Sequence, residues 1–310
     1  MQKLALLVLS AFAFLFVSSA ASAATKSFTA ATANLPSDIE VLGTSNLKSV
    51  RSTETFKKVF PELLKMGGKF GDGIDKVKKE CGIDPVTAFD DATVGVGAKD
   101  EGAIFIAMNG VTEQKLLDCV SKIAKSSNKA TVSSKKTGSI TEVKNDKSGD
   151  TLYFAWLTGD VLVVATDPDN KALLEKMTGG KGGLSKSKVG GRIGKLDSNA
   201  ALSVVWGKQL PVDKMTVRNG ELTLAASGGN LTATTTVEMG SQKEAEQVAA
   251  AANAISAFVN VPKGAPKEVD RILKTLSAKS SGAEVKISAQ STERDLAVVL
   301  GWALKQAAGF

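Results

Sequence analysis

Apolar positions along this chain recur with two periods, and the switches between them delimit its elements. Between Thr53 and Lys69, Phe56, Val59, Phe60, Leu63 and Leu64 share one helical face, with Pro61 expected to kink or divide the helix. Gly73 to Gly82 reads as a short helix with Ile74, Val77 and Cys81 on one side and Gly82 at its end. Alternation then takes over. Thr93–Ala98 and Ala103–Asn109 flank the polar turn Lys99-Asp100-Glu101-Gly102, a hairpin pattern, and an amphipathic helix follows from Val111 to Lys125. Strands are expected at 139–144, 151–157 and 161–166. A helix is expected at 168–177, with Pro168 early in it, where a missing N–H costs nothing.

The second half repeats this grammar. Ala200–Trp206, Glu221–Ala226 and Leu231–Met239 read as strands. In the last, Leu231, Ala233, Thr235, Val237 and Met239 alternate with Thr232, Thr234, Thr236 and Glu238, as in an antiparallel strand with one wet face. A helix from Gln242 to Val259 opens on the capping pair Ser241 and Glu244. A helix near 266–277, a strand at 283–290 and a last helix at 292–308 complete the pattern. Each half therefore runs strand, short polar turn, strand, Gly, amphipathic helix. The expected fold class is α+β: two related halves, each a mainly antiparallel sheet with helices packed on one face, arising by internal duplication. The halves fall at 35–178 and 197–310, with a Gly/Lys-rich linker at 179–196. Residues 24–34 are polar and lack periodicity, so they read as a flexible leader.

Ahead of them, residues 1–23 carry the marks of an export signal. Lys3 is followed by an apolar run from Leu4 to Val17, and the segment ends on Ala21-Ser22-Ala23, the small-residue pattern of a cleavage site. The apolar core is about 14 residues, short of the roughly 20 that span a bilayer. Cleavage near Ala23–Ala24 is expected to leave 287 residues outside the cytoplasm, in the periplasm or secreted.

Composition narrows the chemistry. The chain holds no histidine, which removes Ser-His-Asp and Cys-His nucleophile systems and histidine metal ligands, and shifts the expectation away from an enzyme. Any hydrolase would rely on carboxylates or lysine. The net charge of +7 falls to +6 once Lys3 leaves with the signal. Most charge is interleaved, but Lys176, Lys181, Lys186, Lys188, Arg192 and Lys195 occur without an intervening acid. That run reads as a solvated linker or as an anion-contacting patch of Lys181, Lys186, Lys188, Arg192 and Lys195. Two cysteines, Cys81 and Cys119, lie on the helices at 73–82 and 111–125, and in an exported chain they are expected to pair as a structural disulfide.

The remaining motifs dissolve on inspection. Gly190 to Lys195 is one residue short of a phosphate loop, and Leu196 stands where the metal-binding hydroxyl belongs. Ser45-x-x-Lys48, Ser126-x-Asn128 and Lys136-Thr137-Gly138 do not assemble a penicillin-binding site, because Ser45 ends a strand where that family opens a helix. The carboxylate pairs Asp90-Asp91, Asp167-Asp169 and Glu268/Asp270 lack calcium-loop spacing and sit where turns and helix starts favour acids. No cofactor, metal, catalytic residue or specific nucleic-acid contact is expected. The reading is a non-catalytic envelope protein that binds an anionic or amphiphilic ligand (lipid headgroup or polysaccharide) or another envelope protein. The alternatives are a purely structural protein and a histidine-independent hydrolase.

Overall fold

A computed structural model describes residues 24–66, 69–128, 130–212, 215–258, 261 and 264–307. The expected signal segment, 1–23, lies outside the described residues. In chain order the elements are α1 (Lys26–Asn34), β1 (Ile39–Ser45), α2 (Leu47–Ser52), α3 (Glu54–Met66), α4 (Lys69–Cys81), α5 (Pro85–Ala88), β2 (Phe89–Gly97) and β3 (Gly102–Met108). Then come α6 (Glu113–Asn128), β4 (Val132–Thr137), β5 (Ile140–Asn145), β6 (Thr151–Leu157), β7 (Val161–Ala165) and α7 (Lys171–Thr178). The chain ends with β8 (Leu202–Trp206), β9 (Leu210–Val212), β10 (Met215–Ser227), β11 (Asn230–Met239), α8 (Gln242–Phe258), α9 (Lys267–Lys274), β12 (Ser277–Ser281), β13 (Glu284–Thr292) and α10 (Glu293–Ala307). The fold class is α+β, with antiparallel pairing throughout the hairpins. Two compact units emerge: residues 24–44 with 69–193, and residues 45–66 with 194–307.

In the first unit the strand order is β1-β2-β3-β7-β6-β5-β4. Phe105 pairs with Thr93 on one side and Val163 on the other, so these three share a face. The Ser27 hydroxyl on α1 meets that of Thr93 at 2.9 Å, which places α1 on this face. The opposite face, with Ile106, Leu162 and Trp156, packs against Cys119, Leu116, Val120 and Ile123 of α6. Helices therefore cover both faces here. The Cys81–Cys119 disulfide joins the C-terminus of α4 to α6, with Cα atoms 5.0 Å apart.

Two stretches in this unit differ from their composition. The expected leader forms α1, because Ser27, Ala31 and Leu35 are fully buried at four-residue spacing, a narrow stripe that flanking Thr and Lys residues hide from a hydropathy reading. The glycine-rich stretch is packed, with Leu184 and Val189 fully buried. Gly180 and Gly182 donate to the carbonyls of Asn34 and Ala33 at 2.7 and 2.8 Å. A Cβ at Gly180 would stand 2.5 Å from the Asn34 oxygen, so glycine serves close approach there.

In the second unit the order is β12-β13-β11-β10-β8, with β9 pairing β10. In β11 Leu231, Val237 and Met239 are buried as the alternation expects, but Thr236, on the face expected to be wet, is buried as well between Glu221 and Lys286 in the register, which also aligns Val237 with Gly220 and Val285. Helix α8 covers that end through Ala245, Ala249 and Ala252. At the other end Leu296 of α10 packs on Ala226 and Leu231, while Ala297 and Leu300 meet Val59 of α3. Helix α3 runs unbroken through Pro61.

Candidate functional site

The basic run does not converge on one site. Lys181, Lys186, Lys188 and Arg192 belong to the first unit and Lys195 to the second. Acids remote in sequence meet part of the run. Lys188 pairs with Glu40 of β1 at 2.5 Å, and Lys176 lies 2.7 Å from both Asp38 and Glu101. Hydrogen bonds to Asp38 and then Glu101 raise the Lys176 pKa above its ordinary value, so it stays cationic. Lys181, Lys186 and Lys195 remain exposed.

The acid pairs also resolve. Asp91, buried, accepts from the Ser27 N–H at 2.8 Å, which ties it to the start of α1. Asp167 is exposed in the turn before α7, and its hydrogen bond to Asp169 raises its pKa. Among the described residues no group of three or more acids or cysteines is placed to hold a metal ion. The hydroxyl of Ser45 donates to the Ala201 carbonyl at 2.6 Å, which occupies it structurally.

An open groove of about 660 Å³ lies instead in the second unit, where β11 begins and β13 ends beside α9 and α10. Leu231 and Ile272 give it an apolar floor, and Asn230, Arg271, Lys274, Thr275, Gln290 and Asp295 line the rest. Local sequence explains the walls. Pro266 precedes α9, Glu268 and Asp270 occupy its first turn, and Arg271 and Lys274 its last, in agreement with the helix dipole. Thr292 caps α10 by accepting from the Asp295 N–H at 3.0 Å.

Arg271 is the hinge of these walls. Its Nε and Nη2 donate to the two Asp295 oxygens at 3.1 and 2.6 Å, and Nη2 also reaches Glu268 at 2.9 Å. The bond from Arg271 holds the Asp295 pKa below the ordinary carboxylate value, and the same pair raises that of Arg271. Lys274 is bound to Asp270 at 2.7 Å. Before β12 begins, the Thr275 hydroxyl stands in for it by donating to the Gln290 carbonyl at 2.7 Å and accepting from the Gln290 N–H at 2.8 Å. The groove thus combines a small apolar floor with a polar rim whose charges are already paired. That arrangement suits binding better than proton transfer, which needs a group free to exchange its proton.

The sequence marked only Glu268 and Asp270 among these residues. Glu268/Arg271 and Asp270/Lys274 pair at i to i+3 and i to i+4 within one helix, partners the reading of Glu268 and Asp270 as a carboxylate pair passed over. The bond from Arg271 to Asp295 joins different helices and left no local signal.

No family model and no curated protein matches this chain. Among the solved structures that resemble it are crystal forms I and IV of TP0453, each at 11% identity. They cover 88% and 87% of this chain and 96% and 95% of the other, with TM-scores of 0.43 and 0.47. No residue role is carried from them. What the geometry defines is an α+β protein with one disulfide and an open groove in its second unit. No described helix is long and apolar enough to cross a membrane.

Proposed function

We propose that the protein is exported, works by binding rather than catalysis, and takes an amphiphilic ligand into the groove of its second unit. The observation that carries this reading is the groove's layout, an apolar floor of Leu231 and Ile272 inside a rim led by Arg271 and Lys274. An aliphatic portion covers the floor, and a polar end meets a rim on which Arg271 and Lys274 keep their acid partners. Export is supported by the disulfide, which persists in oxidising compartments. Exposed Lys181 and Lys186 of the first unit give an anionic envelope component a separate, weaker attraction.

The test is titration of the mature protein with anilinonaphthalene sulfonate, an anionic aromatic amphiphile that brightens on leaving water. Saturable binding is expected, weakened about tenfold or more by Ile272→Asp, which sets a carboxylate on the floor of a half-buried position. Absence of binding, or binding indifferent to that substitution, overturns the assignment of the groove.

A further inference from the structure

Helix α1 begins almost at the expected scissile bond. The Thr25 carbonyl already accepts the first helical bond, from the Thr29 N–H at 2.9 Å, and Ser27 is fully buried. Asp91 holds the Ser27 N–H at 2.8 Å, and the Ser27 hydroxyl joins a buried chain through Thr93 to Thr44, with links of 2.9 and 3.1 Å. At the far end Leu35 is fully buried, and the amides of Gly180 and Gly182 grip Asn34 and Ala33. The helix is therefore latched at both ends and is part of the packed interior.

A peptidase cuts backbone that it can draw out, and cleavage inside a folded segment follows the population of its opened form. The two demands conflict. Drawing residues 24–27 into a peptidase cleft breaks the bond from the Ser27 N–H to the buried Asp91 carboxylate and leaves the buried Thr93 hydroxyl with its Thr44 link alone.

We propose that α1 docks only after residues 1–23 are removed at Ala23–Ala24, so that processing is a step in the folding of the first unit. A precursor that docks α1 beforehand is a poor substrate. This rests on the export reading of residues 1–23.

The experiment presents the full-length precursor in detergent micelles to signal peptidase, with the new N-terminus read by mass spectrometry. One sample is diluted from urea directly into the enzyme, and another is refolded and oxidised first. The diluted chain is expected to be cut after Ala23, and the refolded one about tenfold more slowly or worse. Refolded Ser27→Asp, which sets a second carboxylate against Asp91, is expected to regain the fast rate. Refolded Thr93→Val, which loses only a hydroxyl, is expected to fall between. Near- and far-ultraviolet circular dichroism matching the refolded wild type, together with loss of two hydrogens at Cys81 and Cys119, shows in each variant that the rest of the unit has formed. Equal rates for diluted and refolded wild type overturn the proposal, as does resistance persisting in oxidised Ser27→Asp. A diluted chain left uncut after Ala23 removes the export reading, and this proposal with it.

Discussion

Arg271 and Asp295 show how single side chains set the walls of the groove. Because Arg271 holds the Asp295 pKa below its unfolded value, the pair stabilises the fold above the ordinary carboxylate range. That contribution is lost as pH falls through the depressed value. Asp295→Asn is therefore expected to lower the melting temperature at neutral pH, and by progressively less as pH falls through the depressed value, as calorimetry across pH would record. Gly220 makes the opposite kind of demand. A Cβ there would stand 2.3 Å from Cζ2 of Trp206 and 2.7 Å from the Thr236 oxygen. Gly220→Ala is expected to cost about 1–3 kcal/mol in chemical denaturation, because neither a strand carbonyl nor a half-buried indole gives way cheaply. Little at this scale was legible in the sequence. The cysteine pair could be argued from helix faces and export. The partners of Lys176 and Lys188 could not, since Asp38, Glu40 and Glu101 lie far from them along the chain.

At the scale of elements, amphipathic segments were legible and polar edges were not. Strand β3, the meander from β5 to β7 and the helices α6, α8 and α10 emerge close to their expected limits, while β2 begins at Phe89, four residues before the expected Thr93. The helices repeat because one face of each is buried, while central strands such as β3 and β7 are apolar on both sides because helices cover both faces. Strand β4, with Lys135 and Lys136, and strand β12, with Lys279, lie at sheet edges where nearly every side chain is exposed, so no hydropathy period marks them. Edge strands often carry charge for that reason. Strand β12 is further guarded by Asn253 of α8. Its amide donates to the Ala278 carbonyl at 3.0 Å and accepts from the Ala278 N–H at 2.8 Å. Asn253→Ala is expected to cost about 1–2 kcal/mol and to speed hydrogen exchange at Ala278 selectively. On the other unit, the disulfide closes a separation of 38 residues. Replacing both cysteines by serine is expected to cost about 3–4 kcal/mol in the chain-entropy model, measured against the oxidised protein without reductant.

For the molecule as a whole, the two units share an order of connection. In the first, β2 and β3 lead into α6, and β7 returns beside β3; in the second, β10 and β11 lead into α8, and β13 returns beside β11. The first unit inserts two additional strands before the return. This likeness supports, as a proposal, the internal duplication expected from the pattern of turns and helices. The groove belongs to one unit only, a place the sequence did not single out, since its floor takes one residue from a strand and one from a helix.

The central claim, an exported protein that carries an amphiphile, is tested most directly by native mass spectrometry of the protein purified gently from its own envelope or medium fraction. The account predicts a chain starting at Ala24, two hydrogens lighter than the reduced sequence, with an additional mass that departs on denaturation and is missing from Ile272→Asp. A chain that begins at Met1, keeps both thiols and carries no dissociable mass would contradict it.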